Sequence, residues 1–291
     1  MPTLREARIR YVDHYEEVLI AANGLFMQGD TAIQRGLKLF DLEWGNIEAG
    51  LKWMEANSAA DDDAAEYFND YLIAGTYLFD LRQHPEERMR LRKIALDAAI
   101  RLEHYGPVSA HLGNIALAYN ELGDSRTAID SHERSLRLFC ELGDQYGEVA
   151  TLTNLGLAYA DLGEFRRAIQ CYEEALTSNR DCDNSHSEAS ILNNLGVVYK
   201  NLGEVHQAIQ FHEQALQIFQ KLGDRRGESN TSGNLGLTYA ALGEIPQAIE
   251  CYESSLMVFR EMGDLQGEAK ALGNLGIAYK SMGNYAKAVV Y

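Results

Sequence analysis

The chain has 291 residues, 46% of them hydrophobic, and a formal net charge of −17. This charge repels phosphate backbones and anionic lipid surfaces, which excludes nucleic acid and membranes as main partners. The four cysteines show no CxxC motif and no metal-ligand spacing, and no apolar run has membrane-spanning length. The composition therefore favours a cytoplasmic protein without a metal site.

Residues 1–60 differ in pattern from the rest of the chain. Apolar residues at helical spacing predict an amphipathic helix from Arg5 to Ala22 and a second helical region from Ala32 to Ala56. Gly29-Asp30 predicts a break between them. We therefore expect an N-terminal helical region over residues 1–60.

Residues 61–108 resemble the units that follow them, but in a degenerate form. Their apolar residues lie 40 residues before matching positions of the next unit: Leu72, Phe79, Ala95 and Leu96 precede Leu112, Tyr119, Ser135 and Leu136. The stretch has lost the Asn and Gly residues of the later units, as terminal capping repeats often do. We expect residues 61–108 to form a capping repeat.

From residue 109 onward the chain repeats with a period of 40 residues. Every unit has an Asn followed five residues later by a Tyr, and the Asn residues are Asn114, Asn154, Asn194, Asn234 and Asn274. The five units are 109–148, 149–188, 189–228, 229–268 and a truncated 269–291. A fixed period of this size predicts a solenoid, in which each unit buries its apolar face against its neighbours.

Each unit is predicted to be a helix hairpin. The core face of one first helix carries Leu152, Leu155, Tyr159 and Leu162, and Gly163 ends that helix. The second helix of the same unit presents Phe165, Ala168, Ile169, Tyr172, Ala175 and Leu176. The next helices are predicted to begin at capping residues Asp144, Asp224 and Asp264, with Glu148, Glu228 and Glu268 in their first turns.

A glycine recurs inside the first helices, at Gly156, Gly196, Gly236 and Gly276. A glycine within a helix costs about 0.5–1 kcal/mol relative to alanine. Its repetition predicts that the second helix, with Ala168 or its equivalents, approaches closely at this point. The joint from Arg180 to Ser187 departs from the pattern and is more polar than the other joints.

The order of Leu-Gly, Tyr, Leu-Gly, Ala and Ala/Ser-Leu in each unit resembles the tetratricopeptide repeat (TPR), in which units have about 34 residues. The Asn before Leu-Gly resembles the repeats of cell-polarity scaffolds, kinesin light chains and bacterial STAND-class signalling ATPases. The resemblance implies an all-α fold, an α-solenoid of stacked helix hairpins in a right-handed superhelix with an N-terminal helical cap region. The first helices would then line a concave groove.

A short segment from Leu42 to Trp53 resembles a part of STAND-class ATPases that leads into their repeats. The resemblance implies that residues 1–60 are the linker from a missing ATPase module. The chain would then be the ligand-sensing arm of a larger protein.

The sequence predicts no catalytic, cofactor or metal site. His132-Glu133 and His212-Glu213 begin like the HExxH zinc motif, but Leu136 and Leu216 stand where its second His is required. Tyr172 and Tyr252 occupy the equivalent positions of other units, so these two histidines are expected to be buried or half-buried core residues. The chain is therefore expected not to be an enzyme.

Residues at spacings of 4, 3 and 4 in each first helix form a face separate from the core face. The TPR resemblance places this face in the groove, where the candidate peptide-binding residues are Asn114, Asn154, Asn194, Asn234, Asn274, Asn201, Asn230, Leu157, Val197, Leu237, Lys200, Lys270 and Lys280.

Two interpretations of the repeated Asn stay open. Each amide, which is both a donor and an acceptor, can pair with the backbone of an extended peptide, or it can belong to an internal ladder of hydrogen bonds. The apolar residues beside them are Leu117, Leu157, Val197, Leu237 and Ile277. The pattern favours a role for these residues in the core between repeats. The alternative is that they form the apolar floor of the groove, against which ligand side chains pack.

The charges of this face are unevenly distributed. Lys200, Lys270 and Lys280 make its C-terminal half more positive, while Glu121 and Asp161 make its N-terminal half acidic. This polarity can orient a peptide with its acidic part toward the later repeats.

The sequence therefore predicts a non-enzymatic TPR array that binds a protein or peptide ligand, as the sensing region of a STAND-type ATPase. The alternatives are a stand-alone scaffold or peptide-pheromone receptor, and a structural array that self-associates through an open end at Tyr291.

Overall fold

The computed structural model describes residues 3–27, 30–182 and 184–290, and every regular element within them is an α-helix. The predicted all-α fold class is confirmed. Gly29 of the predicted break, Asp183 of the predicted joint and Tyr291 lie outside the described residues. None of the described helices is both long enough and apolar enough to cross a membrane.

The chain forms two compact units, Met1–Gly147 and Glu148–Tyr291. The first unit contains α1 Leu4–Met27, α2 Asp30–Asn57, α3 Asp62–Ala74, α4 Thr76–Arg82, α5 Pro85–Arg101, α6 Tyr105–Glu121 and α7 Ser125–Leu142. The second contains most of α8 Gln145–Asp161, and then α9 Phe165–Cys182, α10 Ser185–Asn201, α11 Val205–Leu222, α12 Arg225–Leu242, α13 Ile245–Met262, α14 Leu265–Ser281 and α15 Tyr285–Ala288.

The first unit has a core in which α1, α2, α3 and α5 meet. Its largest fully buried rings include Phe40, Phe68, Tyr71 and Phe79. The segment from Leu42 to Trp53 lies within α2 and contributes to this core, because Ile47 and Leu51 are buried and both tryptophans pack against it.

In residues 61–108, expected to form a capping repeat, the helix at the place of a first helix is interrupted. It is divided into α3 and α4 at Gly75, whereas α6 at the matching place is continuous. The equivalent apolar residues are buried all the same: Leu72, Phe79, Ala95 and Leu96. At the positions 40 residues later, Leu112 and Ser135 are buried and Tyr119 and Leu136 are half-buried.

The second unit is built of helix hairpins, with α10 packed against α11 and α12 against α13. The turn inside each hairpin has a glycine in the left-handed region, for example Gly203 at φ +83° and Gly243 at φ +89°. The first helices begin a few residues earlier than the unit boundaries expected at 189, 229 and 269, since α10, α12 and α14 begin at Ser185, Arg225 and Leu265.

The predicted capping residues are confirmed. The side chain of Asp224 accepts a hydrogen bond from the backbone N–H of Gly227 at 2.9 Å, and Asp264 accepts one from Gly267 at 3.0 Å. Asp144 accepts from Gly147 in the same way. The glutamates four residues after each Asp lie in the first helical turn, where the helix dipole favours negative charge.

The predicted core face is correct for three of the four residues named in α8. Leu152, Leu155 and Tyr159 are buried, but Leu162 is 40% exposed. The reason is that α8 ends at Asp161, so that Leu162 belongs to the turn and no longer follows the helical face.

The need for a small residue within the first helices is confirmed, and the second helix approaches closely at this point, most closely through a ring. A Cβ atom on Gly156 would lie 2.5 Å from the ring of Tyr172, and one on Gly196 would lie 2.5 Å from the ring of His212. Gly236 has the same relation to Tyr252. The closest atoms belong to a ring one turn beyond Ala168 and its equivalents, and at Gly236 the backbone oxygen of Ala248 is also close, at 3.2 Å.

We expect Gly196→Ala to lower the free energy of unfolding by about 1–3 kcal/mol, because the added methyl group overlaps the buried ring of His212. Gly273→Ala is the matched control, since a Cβ at that helical position meets nothing within 4 Å. It should leave stability unchanged or raise it by up to about 1 kcal/mol. Urea denaturation followed by circular dichroism measures both, and equal effects would contradict the ring contact.

Candidate functional site

Two neighbouring clefts lie along the first helices of the second unit. The α10–α12 cleft has a volume of about 400 Å³, and the α12–α14 cleft has a volume of about 370 Å³. Asn193 and Asn230 line both clefts. The helices α10, α12 and α14 thus present one polar surface that extends over three repeats.

The clefts bring together several of the predicted peptide-binding residues: Asn194, Asn230, Asn234, Asn274, Leu237 and Lys270. Six other predicted residues belong to the same unit but line neither cleft: Asn154, Leu157, Val197, Lys200, Asn201 and Lys280. Asn114 lies in the first unit, on α6.

The repeated asparagines differ in their hydrogen bonds. Asn114 Nδ2 donates to the backbone oxygen of Ala110 in its own helix at 2.8 Å, and Asn234 Nδ2 donates to Asn193 Oδ1 in the preceding repeat at 3.2 Å.

The side chains of the other three, Asn154, Asn194 and Asn274, form no hydrogen bond with any described residue, and neither does that of Asn230. An internal contact between repeats is therefore present at Asn234, while the other cleft amides keep their donors and acceptors available.

Asn193 is a cleft residue that the sequence analysis missed. The equivalent positions of the other units hold Gly113, Thr153, Gly233 and Gly273. A side-chain amide at this position alone indicates that Asn193 has a role that the other units lack. Its Oδ1 lies 3.0 Å from His212 Nδ1 and also accepts the hydrogen bond from Asn234.

His212 determines how the amide of Asn193 is oriented. The ring is fully buried, and burial, with a smaller effect of the nearby Lys200, lowers the pKa of His212 to about 4. The neutral ring therefore carries its hydrogen on Nδ1 and donates it to Asn193 Oδ1. With its oxygen occupied twice, Asn193 has its Nδ2 hydrogens left for the clefts. The prediction that His132 and His212 are core residues is confirmed, since both are fully buried.

The interpretation of the apolar residues as core between repeats is wrong for three of them. Leu157 is 40% exposed, Leu237 is 38% exposed and Ile277 is 67% exposed. They lie on the face of the first helices that neighbouring helices leave accessible. Leu237 lines the α12–α14 cleft, where it offers an apolar contact among the amides.

Each cleft also contains a cation. Arg226 lines the α10–α12 cleft and Lys270 lines the α12–α14 cleft, and neither pairs with a carboxylate of the described residues. Asp224, the carboxylate in the first of these clefts, caps α12 and lies 3.1 Å from His186 Nε2. The α12–α14 cleft is thus locally cationic in a chain with a net charge of −17, whereas the α10–α12 cleft holds one charge of each sign.

We expect the pH dependence of stability to report on His212. Its pKa is lowered from 6.5 to about 4 on folding, so the unfolded chain binds the proton more tightly. The stability that the neutral ring contributes is complete above about pH 6.5 and is lost as the pH falls toward about 4.

His212→Tyr introduces the residue found at positions 172 and 252 and removes this titration. The melting temperature of this variant should fall less than that of the wild type between about pH 7 and pH 4.5. His132 remains in both proteins as an internal control, and parallel pH profiles would contradict the assignment.

Models of the tetratricopeptide repeat match residues 95–181, 187–261 and 269–291, which together make up more than half of the chain. No curated protein matches the chain at a significant level. The three solved structures described next are 15–23% identical to it, so they are evidence for the fold alone.

One similar structure is BtubC from P. vanneervenii, with a TM-score of 0.63 and 23% identity over 72% of this chain and 88% of that protein. A STAND protein with a tetratricopeptide repeat sensor from Pyrococcus horikoshii has a TM-score of 0.67 and 16% identity, and the match covers 95% of this chain but 46% of that protein.

A Rap protein in complex with Competence and Sporulation Factor has a TM-score of 0.61 and 15% identity, over 84% of this chain and 77% of that protein. The agreement of the family models, the fold and the 40-residue pattern leads to one conclusion. The chain belongs to the tetratricopeptide repeat family.

Proposed function

We propose that the α10–α12 and α12–α14 clefts bind an extended segment of a peptide or protein, without catalysis. The observation that carries the proposal is that the amides of Asn194, Asn230 and Asn274 line the clefts and have no hydrogen-bond partner among the described residues. Tetratricopeptide repeats are in general scaffolds for protein interaction, which supports the same proposal.

The chemistry of the clefts suits a peptide backbone. Each asparagine amide has donors and an acceptor, and an extended peptide repeats an N–H and a C=O at every residue. Asn193 adds a donor whose orientation is already held by His212. Binding therefore has no further entropy cost for fixing this side chain. Leu237 offers an apolar contact for a ligand side chain.

The charges favour a ligand with an acidic residue. Lys270 lines the α12–α14 cleft with no described carboxylate beside it, and Arg226 shares the α10–α12 cleft with Asp224, whereas the −17 charge of the whole chain repels a uniformly acidic partner. A segment with one or two carboxylates among apolar and polar residues satisfies both conditions.

For the larger context, we propose that the chain is the ligand-sensing region of a cytoplasmic STAND-type signalling ATPase. The segment from Leu42 to Trp53 supports this, as does the similarity in fold to a STAND protein over 95% of this chain. The alternative is a stand-alone peptide receptor, for which the similarity to a Rap protein in complex with its factor provides support.

The sequence of the full-length gene distinguishes the signalling ATPase from the stand-alone receptor. A phosphate-binding loop of the type GxxxxGK[ST] encoded upstream in the same reading frame supports the ATPase, and its absence favours the receptor.

We expect Asn194→Ala, Asn230→Ala and Asn274→Ala each to weaken binding of a selected peptide about 10-fold, through loss of one or two hydrogen bonds. The melting temperature should not fall, because these amides have no bond to another described residue to lose. The peptide is first selected on the wild type from a displayed library and then titrated by fluorescence anisotropy.

Asn201→Ala is the matched control, an exposed asparagine of α10 that lines neither cleft, and it should bind as the wild type does. Unchanged affinity in all three cleft variants, or a large drop in their stability, would refute the proposed site.

We expect Lys270→Gln to weaken binding of an acidic peptide and to reduce the dependence of its affinity on salt, because one attraction that salt screens is removed. Lys280→Gln, at an exposed position of the same helix outside the clefts, is the control. Affinities measured at low and at physiological salt test this, and equal effects of the two substitutions would show that only the general charge matters.

A further inference from the structure

The two clefts along α12 differ in how far they reach toward the second helices. The α10–α12 cleft is lined by one residue of the second helix α11, Phe219. The α12–α14 cleft is lined by three residues of the equivalent helix α13, which are Tyr252, Ser255 and Phe259. The α12–α14 cleft therefore extends over a longer stretch of the layer beneath the first helices.

Two positions of the first helices account for this difference. Asn193 and Thr231 line the α10–α12 cleft, and the residues 40 positions later, Gly233 and Ala271, line the α12–α14 cleft. Each replacement removes side-chain atoms from the space between the first helices. Among the described residues outside its own helix, a Cβ atom on Gly233 would meet only Ser255 Oγ within 4 Å, at 3.6 Å. The space beside Gly233 is therefore open.

The α12–α14 cleft also has an apolar wall that a ligand can reach. Leu237, which lies one helical turn beyond Gly233, lines the cleft and is 38% exposed. Asn230 and Lys270 line it from exposed positions of α12 and α14. The cleft has a volume of about 370 Å³, within the range of ligand sites in proteins. It thus combines an open apolar space with an amide and a cation at its edge.

We propose that the α12–α14 cleft is a pocket for one large apolar side chain of the bound segment, such as leucine, methionine or phenylalanine, and that Gly233 determines this specificity. The side chain packs between Leu237 and the backbone of α12 at Gly233, and a carboxylate of the same segment pairs with Lys270. In the α10–α12 cleft the equivalent space is filled by Asn193 and Thr231, so that cleft takes polar parts of the segment. The pocket rests on the proposed function, because it is a part of the same peptide site.

Peptides selected on the wild-type chain from a displayed library of random sequences are the first test. They should share a large apolar residue within about two positions of Asp or Glu, since alternate side chains of an extended segment point to the same side. Replacement of that apolar residue with alanine should weaken binding at least about 10-fold in fluorescence anisotropy, because its buried area is lost. Selected peptides without such a residue, or an alanine peptide that binds as tightly as its parent, would overturn the proposal.

Gly233→Thr tests the pocket from the side of the protein, with the residue that α8 has at the equivalent position, Thr153. It should weaken binding of the parent peptide at least about 10-fold and leave the affinity for the alanine peptide unchanged, because both changes remove the same contact. Equal weakening of the two peptides would show that the threonine acts outside the pocket and would contradict the assignment.

Gly273→Thr is the matched control for this substitution. A Cβ atom at this exposed position of α14 meets nothing within 4 Å among the described residues, and Gly273 does not line the cleft. The variant should bind the parent peptide as the wild type does. Weakening equal to that of Gly233→Thr would trace the effect to the helix rather than to the pocket.

Stability measurements and a second variant keep the results separate. The melting temperature of Gly233→Thr should not fall, since its Cβ atom has room and glycine is the poorer helix former. If it does fall, Gly233→Ala adds a single methyl group and should still weaken the parent peptide more than the alanine peptide. Weakened binding in Asn230→Ala with wild-type binding in both Gly233 variants refutes the pocket and leaves the peptide site intact. A wild-type chain that selects no peptide contradicts the proposed function and the pocket with it.

Discussion

The spacing of each hairpin in the second unit depends on one contact, the packing of a ring from the second helix onto a glycine of the first. Tyr172 lies on Gly156, His212 on Gly196 and Tyr252 on Gly236, each so close that a methyl group does not fit. Side chains in a packed core transmit such a constraint, because they cannot be compressed. The positions of the first helices, and of the surface that they share, follow from it.

Small departures from the repeat produce the chemistry of the clefts. His212 occupies a place that is held by tyrosine in two other units, and with it comes Asn193 in place of a glycine or threonine. The buried neutral ring accepts no competing proton near neutral pH and holds the amide of Asn193 toward its neighbour Asn234. The histidine in the core thus fixes the side chain of Asn193 at the surface, and the Nδ2 donor of Asn193 has a defined direction.

The position of Asn193 has the opposite effect one repeat later, where Gly233 stands in its place. There the missing side chain leaves the α12–α14 cleft open to three residues of α13, whereas the α10–α12 cleft meets α11 at one. Asn193 and Gly233 both line the α12–α14 cleft, the first with a donor and the second with open space. A repeat array can in this way keep the same contact between a ring and a glycine in each hairpin and still differ from unit to unit in the residues on its surface.

The sequence by itself determined the fold family, the helices and their caps, because these depend on local spacing. The 40-residue period, the capping aspartates and the glycines of the turns are all visible in the chain, and the helices agree with them. The asparagines of the first helices were likewise visible, as was the internal glycine.

Only the tertiary structure decided which of these residues are available to a ligand. Asn114 and Asn194 look identical in the sequence, yet the first bonds to its own helix and the second has no partner among the described residues. For Leu237 the sequence left core between repeats and a floor for ligand side chains open, and it is 38% exposed, while Asn179 is a polar residue that proves to be buried. Hydrogen bonding and exposure depend on side chains that are distant in the sequence, and a local pattern does not contain their positions.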